Sequence, residues 1–130
     1  MSDESAVRRA ARSWFEENWD PDLTTAEWWE RLAESGWGLP RWPREWFGRS
    51  CSAEDARTVE DERVAVGALG PPAGLSIALA APTILAHGTA EQKEQYLWPI
   101  ATGQHAWCQL FSEPGAGSDL AAIQTRAVHS

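Results

Sequence analysis

WCQLFSEPGAGSDLAAI, residues 107–123, is where the chain changes its period. Trp107, Gln109 and Phe111 alternate with Cys108, Leu110 and Ser112, the two-residue rhythm of a strand. The run from Ala106 closes on Ser112, Glu113 and Pro114, and Gly115 and Gly117 follow within three residues. Ser118 and Asp119 then offer side chains that start helices, so a short helical turn is expected over 119–122. Everything upstream keeps a different rhythm. The chain therefore reads as a helical part with a sheet beginning near Ala106.

The upstream rhythm is that of amphipathic helices. Val7, Ala10, Ala11, Trp14 and Phe15 recur on one helical face, so a helix is predicted from about Ser5 to Asn18, broken by Asp20-Pro21. Thr24 and Glu27 form a capping box for a second helix, which carries Trp28, Trp29, Leu32 and Ala33 on one face and ends near Ser35. Gly36 is its left-handed stop. Pro40, Pro43 and the glycines make 37–50 a loop. Ser52 and Asp55 cap a third helix, about Ala53 to Val66, with only a sparse apolar face at Ala56, Val59 and Val66. After the Gly70-Pro71-Pro72 turn, Leu75 to His87 is apolar nearly all round, which predicts a buried helix kinked at Pro82. Gly88 ends it. Thr89 and Gln92 cap a fifth helix reaching about Ala101, with Gly103 as its stop. The fold class is thus mainly α: about five helices over 1–104, then the first one or two strands of a β-domain over 105–130.

Composition narrows the function classes. The 130 residues are 43% hydrophobic and 23% charged, as in one packed domain. With 19 acidic against 11 basic side chains and a net charge of −8, the chain lacks the basic stripe that a nucleic acid demands. The acidic, then basic start has no apolar signal core, and the longest apolar stretch, Leu75 to Ala86, is shorter than the about 20 residues that span a bilayer. A soluble, cytoplasmic protein is expected. Cys51 and Cys108 stand far apart, as two free thiols, and no spacing among His87, His105, His129 and the cysteines suits a metal. Trp28, Trp29, Trp37, Trp42 and Trp46 are expected to pack the second helix and its loop rather than to form a ligand platform. His87, at a helix end, suits the dipole there.

The glycines fit no dinucleotide fingerprint, because Leu120 stands at the third glycine. They fit no Walker loop, because Ser118-Asp119 follows Gly117, and no nucleophile elbow, because Ala116 and Leu120 flank Ser118. Two readings stay open: backbone N–H groups and a hydroxyl set to favour an anion, or an ordinary tight connection after a strand.

WCQLFSEPGAGSD (107–119) resembles the signature of the acyl-CoA dehydrogenase family. APTILAHGTAEQK (81–93) resembles the segment just upstream in that family, and GWGLPRWPREWFG (36–48) its loop between the second and third helices. The resemblance implies an FAD-dependent enzyme that takes a proton from the α-carbon and a hydride from the β-carbon of an acyl-CoA, leaving a 2-enoyl-CoA. It implies that the strand at Gln109, Phe111 and Ser112 lies along the flavin, with Ser112 near N5. It also implies that Gly117 and Ser118 meet the FAD pyrophosphate, Ser118 on the pantetheine side of the substrate as well. Implied partners are an acyl-CoA, other acyl-CoA dehydrogenase subunits in a homo- or hetero-oligomer, and an electron-transfer flavoprotein. Glu113 is read as ordering the turn, because the family's base belongs to a C-terminal bundle beyond these residues. The 130 residues alone are therefore expected to be inactive, and no catalytic residue is assigned. Phe47-Gly48-Arg49-Ser50-Cys51 departs from a glycine-richer stretch common in the family. The alternative is a non-catalytic helical interaction module.

Overall fold

The computed structural model describes residues 5–107. Five helices follow in order: α1 Ala6–Asn18, α2 Thr25–Ser35, α3 Ala53–Val66, α4 Ala81–His87 and α5 Ala90–Ala101. The predicted caps at Thr24, Ser52 and Thr89 are made, and the structure adds one at Ser5. The Ser5 hydroxyl accepts from the Arg8 N–H, and the Ser52 hydroxyl accepts from the Asp55 N–H. Thr24 with Glu27 and Thr89 with Gln92 close full capping boxes. Gly36 ends α2 in the left-handed conformation, at φ +79°.

Two cores hold the helices together, and α2 belongs to both. Its Trp28 and Leu32 join Ala11 and Phe15 of α1, Trp37, and Val59 of α3. Its Ala33 joins Ala81, Leu97, Ile100 and Ala101 of α4 and α5, with Trp42 from the loop. The indoles therefore pack, as the sequence suggested: Trp28, Trp37 and Trp42 are buried, with Trp14 tilted against Trp28 and Trp19 meeting it edge-on.

The sparse face of α3 is completed by charge. Glu62 is only 5% exposed. It accepts from the Arg8 Nη1 at 2.7 Å, and from the Arg12 Nε and Nη2 at 3.2 Å each. This carboxylate ties α3 to α1 where apolar side chains are too few, and α1 packs most extensively on α3. Sequence periodicity scores a glutamate as surface, so this contact was not foreseen.

The segment from Leu75 to His87 is helical throughout but differs from expectation in two ways. It opens with a π turn, Ser76–Ala80, in which the Ala81 N–H reaches back to the Ser76 carbonyl. Pro82 explains the wider turn: its ring has no N–H and would crowd the carbonyl four residues back in a regular helix. The segment is also not buried as a whole. Ser76 and Ala81 are covered, whereas Leu75 and Leu79 are 42% and 46% exposed. Of the strand expected over 106–112, Ala106 and Trp107 are described and lie in no strand, and 108–112 fall outside the described residues.

The Arg8 and Arg12 donors hold the Glu62 carboxyl below its ordinary range, with the Arg12 hydrogen bond the largest cause. A depressed carboxyl contributes stability that is present above its unfolded pKa, roughly 4.3, and lost as pH falls through the lower folded value. Urea titrations should therefore show stability falling below about pH 4, with a shallower fall in Glu62→Gln. Glu62→Ala should cost about 2–3 kcal/mol at neutral pH, because it removes the charge-assisted hydrogen bonds that join α3 to α1.

Candidate functional site

The structure builds the doorway to the glycine motif. After α5, Gly103 turns the chain at φ +75°, and the His105 N–H returns to the Pro99 carbonyl. The Trp107 N–H then donates to the Ser76 hydroxyl at 2.7 Å, and the Trp107 ring meets Tyr96 edge-on at 5.3 Å. The chain is thus delivered to the π turn as the motif begins. Ser76 was not singled out in the sequence; one hydroxyl in an apolar run gives no signal of a partner 31 residues away.

The segment that receives Trp107 is uncharged. No Asp, Glu, Lys or Arg occurs between Arg63 and Glu91. Leu75, Leu79 and Trp107 are nonetheless exposed. The motif residues Gln109, Phe111, Ser112, Gly117 and Ser118, together with Cys108, Glu113 and His129, fall outside the described residues. His87 and His105 are exposed and stand apart, and no cluster able to hold a metal occurs among the described residues. The half-buried Cys51 thiol is pushed up in pKa, first by burial and then by Asp55, the opposite of an activated nucleophile. No helix among the described residues is long and apolar enough to cross a membrane.

The family model described as acyl-CoA dehydrogenase, N-terminal domain, matches residues 1–104. The chain belongs to the acyl-CoA dehydrogenase family. Among similar curated proteins, the acyl-CoA dehydrogenase FadE34 of Mycobacterium tuberculosis is 43% identical over 99 residues, covering 76% of this chain and 14% of its own length. The acyl-CoA dehydrogenase FadE26 of the same organism is 43% identical over 98 residues, 75% of this chain and 24% of that one. The chain therefore spans a quarter or less of these two relatives. A subunit of the ChsE4-ChsE5 complex from Mycobacterium tuberculosis matches all of this chain and 36% of its own, with 35% identity and a TM-score of 0.59. A structure titled Tcur3481-Tcur3483 steroid ACAD matches 99% of this chain and 37% of its own, with 28% identity and a TM-score of 0.58.

In this acyl-CoA dehydrogenase chain the loop between α2 and α3 takes left-handed backbone at two non-glycine positions. Phe47 and Ser50 sit at φ +66° and +52°, a region that glycine enters more easily. The loop is braced against that cost. The Gly48 and Ser50 N–H groups donate to the Pro43 and Trp42 carbonyls, and the Arg49 and Cys51 N–H groups both donate to the Pro40 carbonyl. A Cβ on Gly48 would lie 2.1 Å from the Trp42 carbonyl oxygen. Gly48→Ala should therefore cost on the order of 3 kcal/mol in a thermal or urea melt. Gly67→Ala, at φ +83° with open space beside it, should cost only about 1 kcal/mol.

Proposed function

We propose that this chain forms the N-terminal part of an FAD-dependent acyl-CoA dehydrogenase that converts an acyl-CoA thioester into a 2-enoyl-CoA. The reading rests on one observation above the others: the family match over 1–104 is followed at once by WCQLFSEPGAGSD, at the point where the Ser76 hydroxyl holds Trp107. On this reading residues 1–104 are the helical domain and 105–130 open the flavin-binding β-domain.

The donor set of the motif suits FAD. Gly115-Ala116-Gly117-Ser118 offers successive backbone N–H groups and a hydroxyl, the chemistry that a pyrophosphate recognises. Gln109, Phe111 and Ser112 lie against the ring system, Gly117 and Ser118 approach the pyrophosphate, and Ser118 also meets the pantetheine arm. Bound FAD supplies the acceptor for the β-hydride. The uncharged surface of Leu75 and Leu79 keeps water from that side of the site. An electron-transfer flavoprotein is the acceptor in the cytoplasm, and the enzyme works as an assembly of acyl-CoA dehydrogenase subunits. Because the similar Tcur3481-Tcur3483 protein is a steroid ACAD, steroid side-chain thioesters belong in the substrate panel beside straight and branched acyl-CoAs.

Flavin content tests the assignment in the whole protein. Gly117→Val should lose most of its FAD, because the added branches fill the space into which the pyrophosphate must come. Ser118→Ala should weaken FAD or thioester binding by about 1–2 kcal/mol, one hydrogen bond to a charged group. Gly117→Val protein with full flavin content and normal bleaching by acyl-CoA would overturn the reading.

A further inference from the structure

The π turn sorts its side chains against their polarity. Ser76 carries the one hydroxyl of the apolar run 75–81 and is 7% exposed, whereas Leu75 and Leu79 are 42% and 46% exposed. Burying a hydroxyl costs free energy unless it finds a partner. The Thr83 and Thr102 hydroxyls find theirs on their own helices, donating to the Leu79 and Trp98 carbonyls four residues back. The Ser76 hydroxyl instead accepts from the Trp107 N–H at 2.7 Å, across 31 residues of chain. Its neighbours fix that aim. Gly74, at φ +104°, turns the chain into the helix, and its carbonyl accepts from the Ile77 and Ala78 N–H groups. The Ser76 carbonyl is held by the N–H of Ala81, which is fully buried in the second core. π turns are rare and frequently mark functional sites.

The far end of the Ser76 bond is where the register of the next segment is decided. Trp107 stands two residues before Gln109, no more than about 7 Å along an extended chain. In such a chain a slip by one residue turns every side chain to the opposite face. It would exchange Trp107, Gln109 and Phe111 for Cys108, Leu110 and Ser112. Two contacts hold Trp107 against a slip: the bond from its N–H to Ser76, and its ring edge-on to Tyr96 of α5. The ring is 37% exposed, which leaves it a loose hold. The bond to Ser76 grips the main chain, and the main chain is what carries register.

We propose that Ser76 is a positioning residue for the dehydrogenation: its hydroxyl sets the register of the segment that starts at Trp107 and, through it, the seat of the flavin. This role rests on the enzymatic reading given above. Ser76 acts through the backbone of Trp107 and not by contact with the reacting atoms.

Substitutions of Ser76 in the whole protein, purified with its FAD, test this. Thr and Val share one branched shape and differ in the hydroxyl, so any crowding falls on both alike. Ser76→Thr should hold FAD as the wild type does. Ser76→Val and Ser76→Ala should bind it about fivefold more weakly, the size of one neutral hydrogen bond. Both should also change the visible circular dichroism of the bound flavin, which reports how the ring is held, while Ser76→Thr keeps the wild-type signal. Amide hydrogen exchange at Trp107 should quicken about fivefold in the Val and Ala variants and stay slow in Ser76→Thr. Thr and Val variants that behave alike in all three measurements would overturn the proposal, by assigning Ser76 to packing alone. A Trp107 amide that exchanges freely in the wild type would overturn it as well. These results leave the enzymatic reading standing, because the wild type still carries FAD. A wild-type protein that takes up no FAD would instead overturn the enzymatic reading, and this role with it.

Discussion

Two adjacent indoles on α2 govern how the domain is joined. The Trp28 N–H donates to the Leu69 carbonyl at 2.7 Å, and the Trp29 N–H donates to the Gly70 carbonyl at 2.8 Å. The chain between α3 and the π turn must pass from one core to the other. The Leu69 and Gly70 carbonyls on the way are partly covered by the two indoles, and a covered carbonyl without a donor costs free energy. Consecutive tryptophans supply donors to consecutive carbonyls. Their rings meanwhile do separate work: Trp28 lies inside the first core, and Trp29 packs so closely against Gly103 that a Cβ there would sit 2.3 Å from its ring. The end of α5, and with it the approach to the glycine motif, is thereby set against α2.

The rest of the architecture follows from where apolar surface runs out. The α1–α3 contact has too little of it, and Glu62 with Arg8 and Arg12 completes the packing. The π turn and α4 have more than the described residues cover, leaving Leu75 and Leu79 in the open. A helix that lacks charge over its whole length and yet stays exposed belongs at a boundary with other apolar material. In the proposed enzyme that boundary lies beside the cofactor and substrate.

The loop between α2 and α3 shows a different kind of constraint. Phe47 and Ser50 hold conformations that suit glycine, while Gly36 and Gly48 stand where backbone meets backbone: a Cβ on Gly36 would lie 2.6 Å from the Gly48 carbonyl oxygen. Phe47 has a compensating role, its ring meeting Trp98 edge-on at 5.2 Å across the second core.

The sequence by itself determined the elements that local chemistry governs. Caps at Thr24, Ser52 and Thr89, and stops at Gly36 and Gly103, are decided within four residues by orphan backbone groups, so the five helices and their limits were legible. The family too was legible, in WCQLFSEPGAGSD and in the two upstream segments that resemble it. What only the tertiary structure decided were pairings across long separations. Glu62 reads as a surface acid until α1 brings two arginines to it from 50 and 54 residues away. Ser76 reads as a stray hydroxyl until Trp107 arrives. Leu75 to His87 reads as buried because periodicity records how apolar a helix is, and not how much of the rest of the chain is at hand to cover it.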